Sequence, residues 1–83
     1  MNIVFEEKFK KQLKGIKDKH VQHKVRKQIK KIVENPDVGV FLSYNRLIRK
    51  VYISPFRLLY RFENETIIFL DFDHRSKIYK KLR

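Results

Sequence analysis

Cysteine is absent from the 83-residue chain. This excludes a disulfide framework and a thiolate metal site, and it suits a reducing compartment. No apolar run approaches the ~20 residues of a membrane-spanning helix. The opening stretch, Met1-Asn2-Ile3-Val4-Phe5-Glu6-Glu7, has neither the basic start nor the apolar stretch of a secretory leader. A cytoplasmic protein with no membrane association is expected. Glycine and proline occur only twice each, and the sequence contains no internal repeat or low-complexity segment. Acids are scarce: 9 Asp and Glu stand against 21 Lys and Arg, for a net charge of +12. Self-repulsion at that charge disfavours the compact state, and a strongly acidic partner would relieve it. A phosphate backbone and an acidic protein are the natural candidates.

The charge is not confined to a tail. Residues 1–36 carry 11 basic and 4 acidic side chains, and residues 37–83 carry 10 and 5. Lysine dominates the first half and arginine the second. Lysine is a hydrated point charge suited to general attraction, whereas arginine makes planar, directional phosphate contacts. The apolar fraction, 42%, is enough for one small core. One domain spanning residues 1–83 is expected.

Hydrophobic spacing predicts the elements. Ile3-Val4-Phe5 reads as a short strand or as the lead-in to a helix. Phe5, Phe9, Leu13 and Ile16 then recur at helical spacing, with Glu6 and Glu7 at the end where the helix dipole favours negative charge. Gly15 and Asp18 weaken this helix near its end. Val21, Val25, Ile29, Ile32 and Val33 form the apolar stripe of a second helix, which stops at Asn35-Pro36 because proline disfavours helical geometry in the residue before it. The short link between the helices implies an antiparallel pair. Residues 36–46 read as an irregular connection anchored by Val40-Phe41-Leu42. Three β-type runs follow: Leu47–Ile53, Phe56–Glu63 and Thr66–Asp73. Ser54-Pro55 and Glu63-Asn64-Glu65 are short enough to be hairpin turns. The predicted fold class is α+β, a small single domain of β-α-α-β-β-β order in which an antiparallel sheet packs against an α-helical hairpin. Alternation in the middle run sends Phe56, Leu58, Tyr60 and Phe62 to the core, and Arg57, Leu59 and Arg61 to the other face.

Two motifs carry a resemblance. Phe56-Arg57-Leu58-Leu59-Tyr60 is similar to the Tyr-Arg-Leu-x-Tyr strand of the RelE/ParE superfamily of toxin–antitoxin toxins, and His74-Arg75-x-x-x-Tyr79 is similar to its closing His-Arg-x-x-x-Tyr signature. With the basic helical pair ahead of them, the resemblance spans nearly the whole chain. RelE-type members cut messenger RNA in the ribosomal A site without a metal or other cofactor. ParE-type members poison DNA gyrase on the same fold. The resemblance implies a cognate antitoxin protein as partner, a toxin–antitoxin hetero-oligomer, and, for a RelE-type member, the ribosome and mRNA.

Metal-free RNA cleavage needs a base for the 2′-hydroxyl proton, cations for the charged phosphorane and an acid for the leaving 5′-oxygen. The resemblance assigns Arg57 to charge stabilisation and Lys50, seven residues earlier across the turn, to the 2′-hydroxyl or the phosphate. His74, with its ordinary pKa of about 6.5, suits either proton transfer, and Asp71 or Asp73 is placed to orient it. Tyr79 matches the terminal tyrosine, which stacks on a base or orients the 2′-hydroxyl. Arg49, Arg61, Arg75 and Lys77 are expected to contact flanking RNA, although Arg49 should point away from Lys50. Ile48 and Tyr52 stand where further cations are often found, so the cation set is reduced. Asp71 and Asp73 are spaced like a pair of metal-binding carboxylates, but a third ligand is missing, and they read as strand-end polarity.

Overall fold

A computed structural model of the chain describes residues 1–74. The element order is β1 (Asn2–Phe5), α1 (Glu7–Lys14), α2 (Lys19–Glu34), β2 (Val40–Leu42), β3 (Asn45–Ile53), β4 (Phe56–Glu63) and β5 (Thr66–His74). The strands form one sheet in the order β1-β5-β4-β3-β2. β2 to β5 pair antiparallel with their neighbours, while β1 runs parallel to β5, with Asn2 opposite Thr66 and Phe5 opposite Phe69. This is the expected α+β class with one further strand. Val40-Phe41-Leu42, read from sequence as an anchored connection, pairs with β3 as a three-residue edge strand.

Local chemistry explains the helix ends. The Asp18 side chain accepts from the backbone N–H groups of His20 and Val21, capping α2. Such a cap contributes about 1 kcal/mol. Gln22 donates to the Ile16 carbonyl at 2.7 Å, tying the link to the first turn of α2. Glycine is too scarce to serve the β4–β5 hairpin, so Asn64 and Glu65 take φ values of 52° and 57° themselves. A turn with two positive φ angles matches the twist of a two-residue hairpin.

Phe9 from α1 and Val25 and Ile32 from α2 meet Ile53, Leu58, Tyr60, Ile67, Phe69 and Phe72 in one buried cluster. The helices therefore cover one face of the sheet. Phe69 is its aromatic centre, 5.0 Å from Phe5, 5.4 Å from Phe9 and 6.2 Å from Tyr60 between ring centroids. Leu58 and Tyr60 point inward as alternation requires. Leu59 points the other way but is not open to solvent. It is buried with Leu42 against Ile48 and Leu70, so β2 closes part of the face that sequence reading left to solvent.

β5 carries an irregularity. Leu59 is opposite Asp71 and Tyr60 is opposite Phe69, which leaves Leu70 as an extra residue. The bulge brings Phe69 and Phe72, three apart, into the same core. β1 ends at Phe5, and beyond it α1 takes over the edge of β5. The Phe72 N–H donates to Gln12 Oε1 at 2.7 Å, where a neighbouring strand would otherwise accept. Gln12 Nε2 and Lys8 Nζ reach the two carboxylate oxygens of Asp71, at 2.6 and 3.1 Å. Asp71 thus fastens α1 to the sheet. Asp73 accepts from the His74 backbone N–H at 2.7 Å, a bond that leaves the orientation of the imidazole ring undecided.

Candidate functional site

β3 and β4 place the two principal cations on one face. Tyr52 is opposite Arg57, and Lys50 is opposite Leu59. Lys50 and Arg57 are therefore diagonal neighbours, and such pairs lie roughly 7–8 Å apart. Because Leu58 and Tyr60 fill the core, Arg57 and Lys50 face away from the helices. The Arg57 Cζ lies 5.6 Å from the centre of the Tyr52 ring. This is within cation–π range. On the other flank, Asp73 of β5 is the cross-strand partner position of Arg57. A row of Tyr52, Arg57 and Asp73 crosses three strands. Sequence reading missed this row, because only the register reveals it.

The remaining expected residues divide. His74 pairs with Phe56 rather than Arg57, and its ring meets the Phe56 ring edge-on at 6.1 Å. Phe56 packs against the main core, so His74 belongs to the helix-side row and is set apart from Lys50 and Arg57. Arg61 lies on the Arg57 face, with its Nε and Nη2 held by Glu63 Oε2 at 3.1 and 2.6 Å. Arg75, Lys77 and Tyr79 lie outside the described residues. No group of three or more His, Asp or Glu side chains that could hold a metal is found among the described residues.

Arg49 points to the face opposite Lys50, as expected, and is engaged there in holding the connection after α2. Its guanidinium donates to the carbonyls of Asp37 and Gly39, pairs with the Asp37 carboxylate at 3.0 Å and stacks 3.9 Å over Phe41. Tyr60 completes this clamp. Its hydroxyl donates to the Pro36 carbonyl at 2.7 Å and accepts from the Gly39 N–H at 2.8 Å. A Cβ at Gly39 would lie 2.6 Å from that hydroxyl oxygen, so the close approach needs glycine.

Burial pushes the Tyr60 hydroxyl pKa above its usual value of 10, against a smaller opposing effect of the Gly39 hydrogen bond. The unfolded chain therefore releases this proton first. The stability that Tyr60 supplies is complete below pH ~10 and falls as pH rises through that value toward the folded pKa. Tyr60→Phe strands the Gly39 N–H and should cost about 1–3 kcal/mol at neutral pH. Urea unfolding between neutral and strongly alkaline pH should show the gap between wild type and Tyr60→Phe narrowing. A gap that stays constant across the range would remove the burial argument.

A five-stranded sheet covered on one face by two helices, with basic side chains on the other, is the architecture of the RelE/ParE superfamily toxins. The fold is similar to that of the isolated E. coli RelE toxin, at a TM-score of 0.77 and 19% identity over 98% of this chain and 93% of that one. It is equally similar to the intact E. coli RelBE toxin–antitoxin complex, at 0.77 and 18% over 88% and 94%. The RelB–RelE antitoxin–toxin complex from Methanococcus jannaschii gives 0.77 and 18% over 96% and 99%. Identities this low establish the fold alone. The chain belongs to the family described as the ParE toxin of type II toxin–antitoxin systems, which it matches over residues 3–79. No curated protein matches it. Among the described residues, no helix is long and apolar enough to cross a membrane.

Proposed function

We propose that this toxin is a ribosome-dependent endoribonuclease that cuts mRNA in the A site. One observation carries the reading: Lys50 and Arg57 stand as diagonal neighbours on the sheet face that the core does not use. Two cations at that spacing suit a phosphodiester whose charge rises during reaction. The 2′-oxygen attacks phosphorus and the bond to the 5′-oxygen breaks, which leaves a 2′,3′-cyclic phosphate and a 5′-hydroxyl. Arg57 stabilises the phosphorane through its planar donors. Set beside the 2′-oxygen, Lys50 acidifies its hydroxyl, whose proton passes to solvent water, and water returns a proton to the leaving 5′-oxygen. Tyr79 remains the candidate for stacking on a base. His74 is left out of the proposed set, since its row faces the helix side. The site of action is cytoplasmic, and the partner is a cognate antitoxin, a reading supported by the RelB complexes among the similar structures.

Primer-extension mapping of mRNA in a translating extract tests the proposal. Discrete cuts within codons, present only during translation, are expected. The family match supports a second reading, inhibition of DNA gyrase without RNA cleavage. Intact mRNA together with loss of supercoiling activity would replace the first reading with the second.

A further inference from the structure

Lys24, Lys27 and Lys31 fall three and four residues apart on α2, which places them on one helix face. With Gln28 they line a groove of about 370 Å³ whose other wall is Tyr52 and Ile53 at the end of β3 and Ser54 just after it. Among the described residues, no carboxylate lines it. All three lysines are exposed, and the ion pairs of Lys8, Lys10, Arg49 and Arg61 do not involve them. β2 pairs with β3 only as far as Lys50, so the outer edge of β3 at the groove is not covered by a described strand. Tyr52 belongs to two places at once. It lines this groove, and its ring also lies beside the Arg57 guanidinium. Tyr52, on the edge of the sheet, is therefore shared by the groove and the candidate site.

We propose that this groove is a phosphodiester-binding subsite. It holds the RNA strand that continues from the scissile phosphate at Arg57, and Tyr52 stacks on a base where the strand rounds the sheet edge. The proposal rests on the nuclease reading above. Lys24 to Lys31 forms a ladder about 10 Å long, suited to a stretch of backbone rather than a single anion. Lysines on flexible stems attract phosphates without reading sequence, and an exposed aromatic ring accepts any base. Tyr52 is 52% exposed, enough to offer a ring face. An acidic peptide would match the lysines, but not the aromatic step from them to Arg57.

The test uses the full chain and a labelled 2′-O-methyl oligouridine, which cannot be cut because its 2′-oxygen is blocked. Its affinity is measured by fluorescence anisotropy across a range of salt concentrations. On a single strand, each lysine–phosphate pairing accounts for roughly 0.7 of the salt slope. The Lys24→Gln, Lys27→Gln, Lys31→Gln triple variant should therefore lower that slope by about 2. A control triple, Lys14→Gln, Lys19→Gln, Lys30→Gln, removes equal charge elsewhere and should change it far less. Tyr52→Ala should weaken binding roughly 5- to 100-fold with little change in slope. Equal slope reductions in the two triples would mean bulk charge alone and would overturn the subsite. So would competition by polyglutamate that removes the oligouridine only from the wild type and the control triple while Tyr52→Ala binds RNA normally. Codon-level cleavage by the wild type, with both triples binding alike, would sink the subsite and keep the nuclease. A groove-specific fall in slope without any cleavage would keep the RNA subsite and sink the nuclease.

Discussion

Arg57→Ala should reduce mRNA cleavage by about 100- to 1000-fold, the loss typical of removing one donor to a developing oxyanion, and should relieve growth arrest when the toxin is expressed alone. The effect should be confined to chemistry. Arg57 is half-buried on the sheet face opposite the main core and is not among the residues that build it. The unfolding midpoint of the variant in urea should therefore stay near that of the wild type. Arg57→Lys should recover only part of the rate, since a point charge replaces a planar fork of donors. Cleavage within a few-fold of wild type in Arg57→Ala would remove this side chain from the chemistry.

The largest effect on stability is expected on the opposite face of the sheet, in Phe69→Ala. Phe69 is fully buried and packs on Phe5 of β1, Phe9 of α1 and Tyr60 of β4. Truncating such a ring takes packing away from three elements at once and costs about 3–5 kcal/mol. A domain of this size has little more than that to lose. The variant should be largely unfolded by circular dichroism at physiological temperature, whereas Phe69→Leu should fold with a lowered melting temperature. A cooperative transition close to wild type in Phe69→Ala would contradict the central place given to this ring. Arg57 and Phe69 therefore separate two kinds of loss of toxicity, one with the fold intact and one without.

Sequence legibility followed the length of the pattern. The apolar stripe from Val21 to Val33 spans several turns and marks α2 plainly, and the alternation from Phe56 to Phe62 assigns β4 and its two faces. β2 was illegible as a strand because three residues give no periodicity; only pairing with Lys50 and Arg49 makes Val40-Phe41-Leu42 part of the sheet. The bulge at Leu70 was hidden for a different reason. Asp71 beside it is held by Lys8 and Gln12, 63 and 59 residues away in the chain, and no local spacing reports so distant a partner. Residue type pointed to Arg49 as an RNA contact, but register turned it toward Asp37 and Gly39. The placement of Lys50 and Arg57 on neighbouring strands was legible from the seven-residue interval across a tight turn. The separation of His74 from them was not, because neighbours in sequence on β5 alternate in face, and the bulge decides which neighbour faces where.

The parallel pairing of β1 with β5 also bears on timing during synthesis. Asn2 to Phe5 are made more than sixty residues before their partners, Thr66 to Phe69. At about 5–20 residues per second, the opening strand waits several seconds before it can be paired. Until then its apolar residues and the aromatic cluster built on Phe69 have no complete binding surface. Contacts so distant in the chain form late and slow the search for the native state. The toxin fold therefore waits for β5, and a chain interrupted before it would carry Lys50 and Arg57 without the sheet that positions them.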